Sequence, residues 1–168
     1  MGLPPNREAW FANMLYAWGQ EKGLAYMKRL ADQDLQWRAG ATLNAQLVAA
    51  GEIHFGLLLY NNRTESMKQA GAPIEWVAFE PIYLELHPLA LSKKAPHPNA
   101  GKLFIDYVLS EEGQKMIASF YRIPSRNGVD ALVPRLKCKG KKQFAFEPSL
   151  VDDYDKYLKL FRKVMMKK

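Results

Sequence analysis

The stretch Gly40-Ala-Thr-Leu-Asn-Ala-Gln-Leu-Val-Ala-Ala-Gly-Glu-Ile-His-Phe-Gly-Leu-Leu-Leu-Tyr-Asn-Asn62 sets two apolar periods side by side. Leu43, Leu47 and Ala50 recur at helical spacing, and Gly51 closes the pattern. Ile53–Leu59 is then a short apolar run between Gly51 and Asn61-Asn62, too short for a core helix, and it predicts a buried strand. A helix followed directly by a buried strand is the repeating unit of an α/β protein.

Outward from this stretch the alternation continues. On the N-terminal side, Trp10, Phe11, Met14, Leu15 and Trp18 predict a helix over 6–18 with Asn6 as its N-cap. Leu24, Met27 and Leu30 predict another over 21–32. On the C-terminal side, 63–70 reads as a polar helix ending at Gly71, and Ile74–Phe79 as a second strand. Leu84–Leu91 reads as a third strand that Pro88 confines to an edge. Residues 97–109 predict a helix with Leu103, Phe104, Tyr107 and Val108 on one side, and Ser110 caps the next. The last helix, 149–166, opens with Ser149 and Asp152 at capping-box spacing and carries Tyr154, Tyr157, Leu158, Phe161 and Met165 as its apolar stripe.

The 168 residues carry ordinary globular proportions, 48% hydrophobic and 24% charged, which exclude a disordered, collagenous or coiled-coil chain. The single cysteine, Cys138, excludes a disulfide framework. No apolar run approaches the ~18 residues of a membrane span, and the N-terminus lacks the apolar core of a signal peptide, so the expectation is a chain without an export signal. The net charge of +7 sits in the tail: Arg135–Lys168 holds eleven basic residues against four acidic, and the remainder is neutral. Such a tail suits nucleic acid or an anionic membrane, or simply a solvated loop and helix face.

His54, His87 and His97 lack metal-ligand spacing. Lys137 and Lys139 would lower the pKa of Cys138, but no histidine lies near it to act as a base. With no phosphate loop, nucleophile elbow or kinase motif, the expectation is a protein that is not an enzyme. Candidate binding groups stand elsewhere. Asn6-Arg7 opens the first helix, and Arg38 precedes the third, whose first turn holds Thr42. Helix N-termini with an adjacent arginine could hold an anion, or could simply be capped. Tyr60-Asn61-Asn62 follows a predicted strand, where open α/β sheets face their ligands, although asparagine also suits a plain turn there.

The order of certain segments resembles a known family. These are Gly19–Leu30, Arg38-Ala-Gly-Ala-Thr42, Leu47–Ile53, Gly71-Ala-Pro-Ile-Glu-Trp-Val77, Ala95-Pro-His-Pro-Asn-Ala100, Lys102–Gln114 and Arg122-Ile-Pro124. Together they look like the extracellular solute-binding proteins of bacterial ABC importers, in the ferric-iron-binding-like branch. The resemblance implies a type II periplasmic-binding fold, α/β in class, of which this chain would hold mainly the second lobe and a segment of the first. It implies a second-lobe α/β segment at 1–80, a return into the first lobe at 81–128, and a C-terminal basic loop and helix at 129–168 packing on the second lobe. It further implies capture of a solute for an ABC permease, with a periplasmic or extracellular parent. In ferric-binding relatives two adjacent tyrosines follow the strand that resembles 53–59. Here those positions fall at about Asn61 and Asn62, with Tyr60 one residue early as the candidate metal donor. The implied ligand site is Asn6, Arg7, Arg38, Thr42, Tyr60, Asn61 and Asn62, for ferric iron, a metal chelate or a small anion. Apolar faces at 84–120 that lack a first lobe would favour a homodimer or a segment swap. The alternative from another class is a basic module that binds nucleic acid or anionic membrane through 135–168.

Overall fold

A computed structural model describes residues 1–166. They fall into two units. The first comprises Met1–Tyr60, Pro81–Glu85 and the residues from Gln143 onward; the second comprises Asn61–Glu80 and Leu86–Lys142.

In the first unit, β1 (Gly2–Leu3) leads into α1 (Glu8–Trp18) and α2 (Gln20–Ala31), then β2 (Gln36–Trp37) and α3 (Ala41–Ala49). The two helices α1 and α2 meet at Gly19, whose φ of 82° ends one helix and starts the next, a conformation that a β-carbon would strain. β1 pairs in parallel with β2, and Gly2 forms a parallel bridge to Gly56. The predicted strand at 53–59 is reduced to that bridge. Gly2 N–H donates to the Phe55 carbonyl and Leu57 N–H to the Gly2 carbonyl, after which Leu58 turns away at a left-handed φ of 54°. An apolar run extends as a strand only as far as a partner runs beside it, and here β1 is two residues long.

β3 (Ile82–Leu84) pairs in parallel with β4 (Gln143–Ala145), so the third predicted strand shortens to its first residue and takes its partner from within the basic tail. Pro148–Val151 forms a 3-10 turn, and α7 (Tyr154–Met165) follows. The expected capping box at Ser149 and Asp152 is not formed: the Glu147 carboxylate accepts from Ser149 N–H instead, and α7 begins two residues beyond Asp152. The Tyr157, Phe161, Val164 and Met165 side chains of α7 are buried against Trp10, Phe11, Met14 and Leu15 of α1 and Met27 of α2. The Phe11 and Phe161 rings meet edge-on at 5.6 Å, and Trp37 meets Phe161 at 6.2 Å.

The second unit is built differently. It holds α4 (Asn61–Gln69), α5 (Pro98–Leu109), α6 (Glu111–Ser119) and a 3-10 turn at Pro134–Lys137. Ser110 caps α6 as expected, its hydroxyl accepting from Gly113 N–H. Ile74–Phe79 is irregular rather than a strand, because its residues serve a side-chain clamp described below. The apolar core here is small: Ile74, Ala118, Val129, Ala131 and Leu136. α5 buries none of its residues, and Leu103 and Phe104 are 71% and 60% exposed.

Candidate functional site

The parallel pairing of the first unit decides where its polar residues gather. β1, β2 and the segment at Gly56 run in one direction, so their C-terminal ends lie on one edge. Asn6 and Arg7 follow β1, Arg38 follows β2, and Tyr60 follows the bridge at Gly56. The C-terminal edge of parallel strands is where open α/β sheets meet ligands.

Arg7 is the buried member, 8% exposed. It occupies the N-cap position of α1 that was expected for Asn6, and its side chain caps nothing. The guanidinium points elsewhere: Nη2 donates to the Leu58 carbonyl at 3.3 Å and Nη1 to the Asn6 carbonyl at 3.3 Å. Its centre lies 5.6 Å from the Tyr60 ring centroid, within cation–π range. Nε is buried and has no hydrogen-bond partner among the described residues. A donor in that state lacks an acceptor that folding alone has not supplied. The left-handed turn at Leu58 presents the carbonyl that holds Arg7, a strained position at a polar cluster.

Tyr60 donates its hydroxyl to Glu85 Oε1 at 3.2 Å, and Glu85 follows β3. Burial pushes the Tyr83 hydroxyl pKa up, the Glu85 charge adds to that, and Arg7 opposes it. Arg7, Tyr60, Tyr83 and Glu85 therefore form one cluster. Glu85 and Tyr83 were invisible as site residues in the sequence, because they meet Tyr60 and Arg7 only through contacts made across the fold.

Arg38 and Thr42 stand apart from the cluster in character. Arg38 is exposed and reaches only its neighbours, the Trp37 carbonyl and Gln36 Oε1, both at 3.5 Å. Thr42 is exposed in the first turn of α3, after Gly40 rather than a capping side chain. The buried polar residue near that helix start is Asn44, whose Nδ2 donates to the Arg38 and Gly40 carbonyls at 2.9 Å each. Asn61 and Asn62 open α4 in the second unit: Asn61 Oδ1 accepts from Asn62 N–H at 2.8 Å, and its Nδ2 donates to the Leu136 carbonyl at 3.2 Å. Asn61 thus acts within its own unit as a helix-start and loop-anchoring residue.

A family described as bacterial extracellular solute-binding protein matches residues 4–142. The chain belongs to that family. An uncharacterised protein of Haemophilus influenzae is similar at 30% identity over 107 residues, covering 62% of this chain and 30% of the relative. The chain thus spans about a third of the length of that curated relative. No solved structure matches it. Bacterial extracellular solute-binding proteins are in general non-enzymatic parts of transport systems, extracellular or periplasmic. No helix among the described residues is long and apolar enough to cross a membrane.

Within this chain the basic run at 135–142 is not a free cationic stripe. Arg135 donates through Nε to Glu65 Oε2 at 2.8 Å and through Nη2 to Glu75 Oε1 at 2.9 Å, and stacks 4.8 Å over Trp76. Lys137 pairs with Asp130 at 2.8 Å, and Lys141 donates to the Ala78 carbonyl at 2.9 Å. The charges that seemed available for phosphates are in good part spent inside the second unit. Cys138 also differs from expectation: burial pushes its thiol pKa up, with Lys141 only partly opposing. A protonated thiol is a poor nucleophile.

The clamp around Glu65 carries a pH dependence. Glu65 is 1% exposed; burial raises its pKa, but hydrogen bonds from Gln69, Trp76 and Arg135 and the Arg135 charge outweigh that and lower it. The Lys68 ammonium, the Trp76 N–H and Arg135 hold the Glu75 carboxyl down at about 2, against an ordinary value of 4.5. A depressed carboxyl contributes stability that is complete above its unfolded pKa and lost as pH falls through its folded one. The stability of the second unit is therefore expected to decline as pH drops from 4.5 toward 2. Thermal melts across that window should show a shallower decline for Glu75→Gln than for the native chain. Equal slopes would contradict the clamp.

Proposed function

We propose that the protein takes part in solute capture for an ABC-type importer, through a type II periplasmic-binding fold in which this chain supplies mainly the second lobe and part of the first. The observation that carries the reading is the family match over 4–142. In this fold a ligand touches both lobes only when they close, so ligand shifts the population toward the closed state. The permease then reads that state.

The ligand chemistry follows from the Arg7 cluster. Arg7 offers a guanidinium with an unsatisfied Nε, a donor for one oxyanion. The Tyr60 hydroxyl and Glu85 carboxylate supply two hard oxygens 3.2 Å apart, which favour a cation. An oxyanion and a cation side by side describe a metal chelate better than a bare anion. For Fe(III) without a chelator, Tyr60 and Glu85 are two hard donors where neutral Asn61 and Asn62 add none at the positions of the relatives' tyrosines. Asn6, Arg38 and Thr42, on the same sheet edge, would contribute further contacts to a larger chelate.

The test is a thermal shift with ferric citrate, citrate alone and inorganic phosphate as probes. A ligand at a hundred times its Kd adds about 2.7 kcal/mol, so the melting temperature should rise with ferric citrate. The rise should vanish in Arg7→Gln and shrink in Tyr60→Phe. A shift unaffected by either substitution would overturn the assignment of this cluster. If none of the three shifts the melt, the ligand reading fails.

The exposed α5 and α6 faces lead to a second expectation. Leu103, Phe104 and Phe120 are 71%, 60% and 66% exposed in the second unit. Apolar patches of this kind drive association. We expect sedimentation to show a concentration-dependent dimer or swapped species, and Leu103→Glu with Phe104→Glu to return a monomer. A monomer at every concentration, with no apolar-dye fluorescence, would contradict it.

A further inference from the structure

The second unit holds a cavity of about 320 Å³ lined by Asn62, Arg63 and Ser66 of α4 and by Ser119, Phe120, Tyr121 and Arg122 at the end of α6. No carboxylate lines it. Arg63 and Arg122 make no hydrogen bond and no ion pair among the described residues, and Arg63 Nε is buried without a partner. The contrast lies in the same unit, where Arg135 is held by two carboxylates. Two guanidinium charges thus line one cavity, and an anion bound there would be attracted to both.

The wall that carries Arg122 is set in place rather than loose. Buried Gln114 accepts from Ser125 N–H at 2.7 Å and from the Ser125 hydroxyl at 3.2 Å, while its Nε2 donates to the Val108 carbonyl at 2.7 Å. This clamps the return of the chain after α6. Between its ends, Tyr121 sits at a left-handed φ of 60°, a strained conformation for a tyrosine. The carbonyls of Ile117 and Ala118 at the end of α6 are taken by Phe120 and Tyr121 N–H groups, so they do not confront an anion with open acceptors. The Ser119 hydroxyl donates to the Met116 carbonyl.

We propose that this cavity is a second binding site, for a small oxyanion carrying two negative charges, such as phosphate or a dicarboxylate. Arg63 and Arg122 grip its oxygens in forked pairs, and the Ser66 hydroxyl and Asn62 amide donate to the remainder. The volume stands at the small end of ligand sites, of order 300–1,000 Å³, and gives such an ion room together with the waters that complete its shell. Except for Asn62, the site uses none of the residues implied for the solute.

The experiment is an amide and arginine Nε–H NMR titration of the whole chain with inorganic phosphate, repeated with malonate and with sodium chloride at matched ionic strength. Expected are saturable shifts at the Arg63 and Arg122 Nε–H groups and at the Ser119–Arg122 amides, with phosphate or malonate and not with chloride. Binding should weaken about tenfold or more in Arg63→Gln and in Arg122→Gln, less in Arg122→Lys, and stay unchanged at these signals in Arg7→Gln. Amide dispersion in the same spectra reports whether each variant is folded. Shifts that do not saturate, that chloride reproduces, or that survive both glutamine substitutions overturn the proposal. Shifts confined to Arg7, and lost in Arg7→Gln, overturn it while leaving the solute reading intact. Shifts at this cavity alongside a failed ferric citrate test leave it standing without the solute assignment.

Discussion

Glu65→Ala is expected to cost about 3 kcal/mol, the lower part of the range for breaking a buried ion pair. The carboxylate is 1% exposed and accepts from three side chains: Gln69 at 2.8 Å, Trp76 Nε1 at 2.7 Å and Arg135. Alanine leaves the indole N–H and the guanidinium without that acceptor. The loss stays moderate because Arg135 keeps Glu75 and is 39% exposed, so water can reach it. At about 2–4 °C per kcal/mol for a chain of this size, the melting temperature should fall by about 6–12 °C. Hydrogen exchange should locate the change in α4 and the turn at Pro134–Lys137, while α1 and α7 amides keep their protection. Glu65→Gln should cost less, since it retains one acceptor. A Glu65→Ala variant that melts like the native chain would show that the clamp contributes no stability.

Phe11→Ala should cost about 3–5 kcal/mol, as large aromatic truncations in cores do. The ring is fully buried, sits edge-on to Phe161 and belongs to the cluster of Leu3, Leu15, Met27 and Tyr157 that joins α1, α2 and α7. The cavity left behind cannot collapse easily, because the neighbours are held by three different helices. Urea unfolding should show a lower midpoint with an unchanged slope. The effect should reach the site as well. Arg7 lies one residue before α1, so a loosened α1 frees the guanidinium from the Leu58 carbonyl and weakens ferric citrate binding. A loss below about 1 kcal/mol would mean that α1 does not rest on α7 as described.

Helices were legible in this sequence and strands were not. The expected helices stand within a few residues, because their periodicity, Gly19, Gly51, Ser110 and Pro98 are local signals. The run at Ile53–Leu59 has the composition of a strand but only a single bridge, since β1 offers two residues to pair with. Ile74–Phe79 also looks apolar, yet Glu75 and Trp76 are drawn into the Glu65 clamp and the backbone finds no ladder. Strand formation depends on a neighbour distant in sequence, and no local pattern reports one. The same limit holds for the site. Arg7 and Tyr60 could be picked out as candidates by their places at a helix start and after an apolar run, and the structure brings them together; Arg38 and Thr42, picked out in the same way, stand apart from them. Glu85, Tyr83, Asn44, and the meeting of Arg63 and Arg122 at the lining of one cavity could not.

The sequence by itself determined the mixed α/β class, the places of the helices, the solute-binding family and the presence of an arginine at the opening of the first helix. Each of these depends on residues close together in the chain or on their order along it. Only the tertiary structure decided that Arg7 is buried with an unsatisfied Nε, that Tyr60 reaches Glu85, and that Arg135 is neutralised rather than free. Those outcomes turn on which distant carboxylate or carbonyl packing brings within about 3 Å of a charged group. A guanidinium's role is set by that partner, and partners 51 or 70 residues away are chosen by the fold.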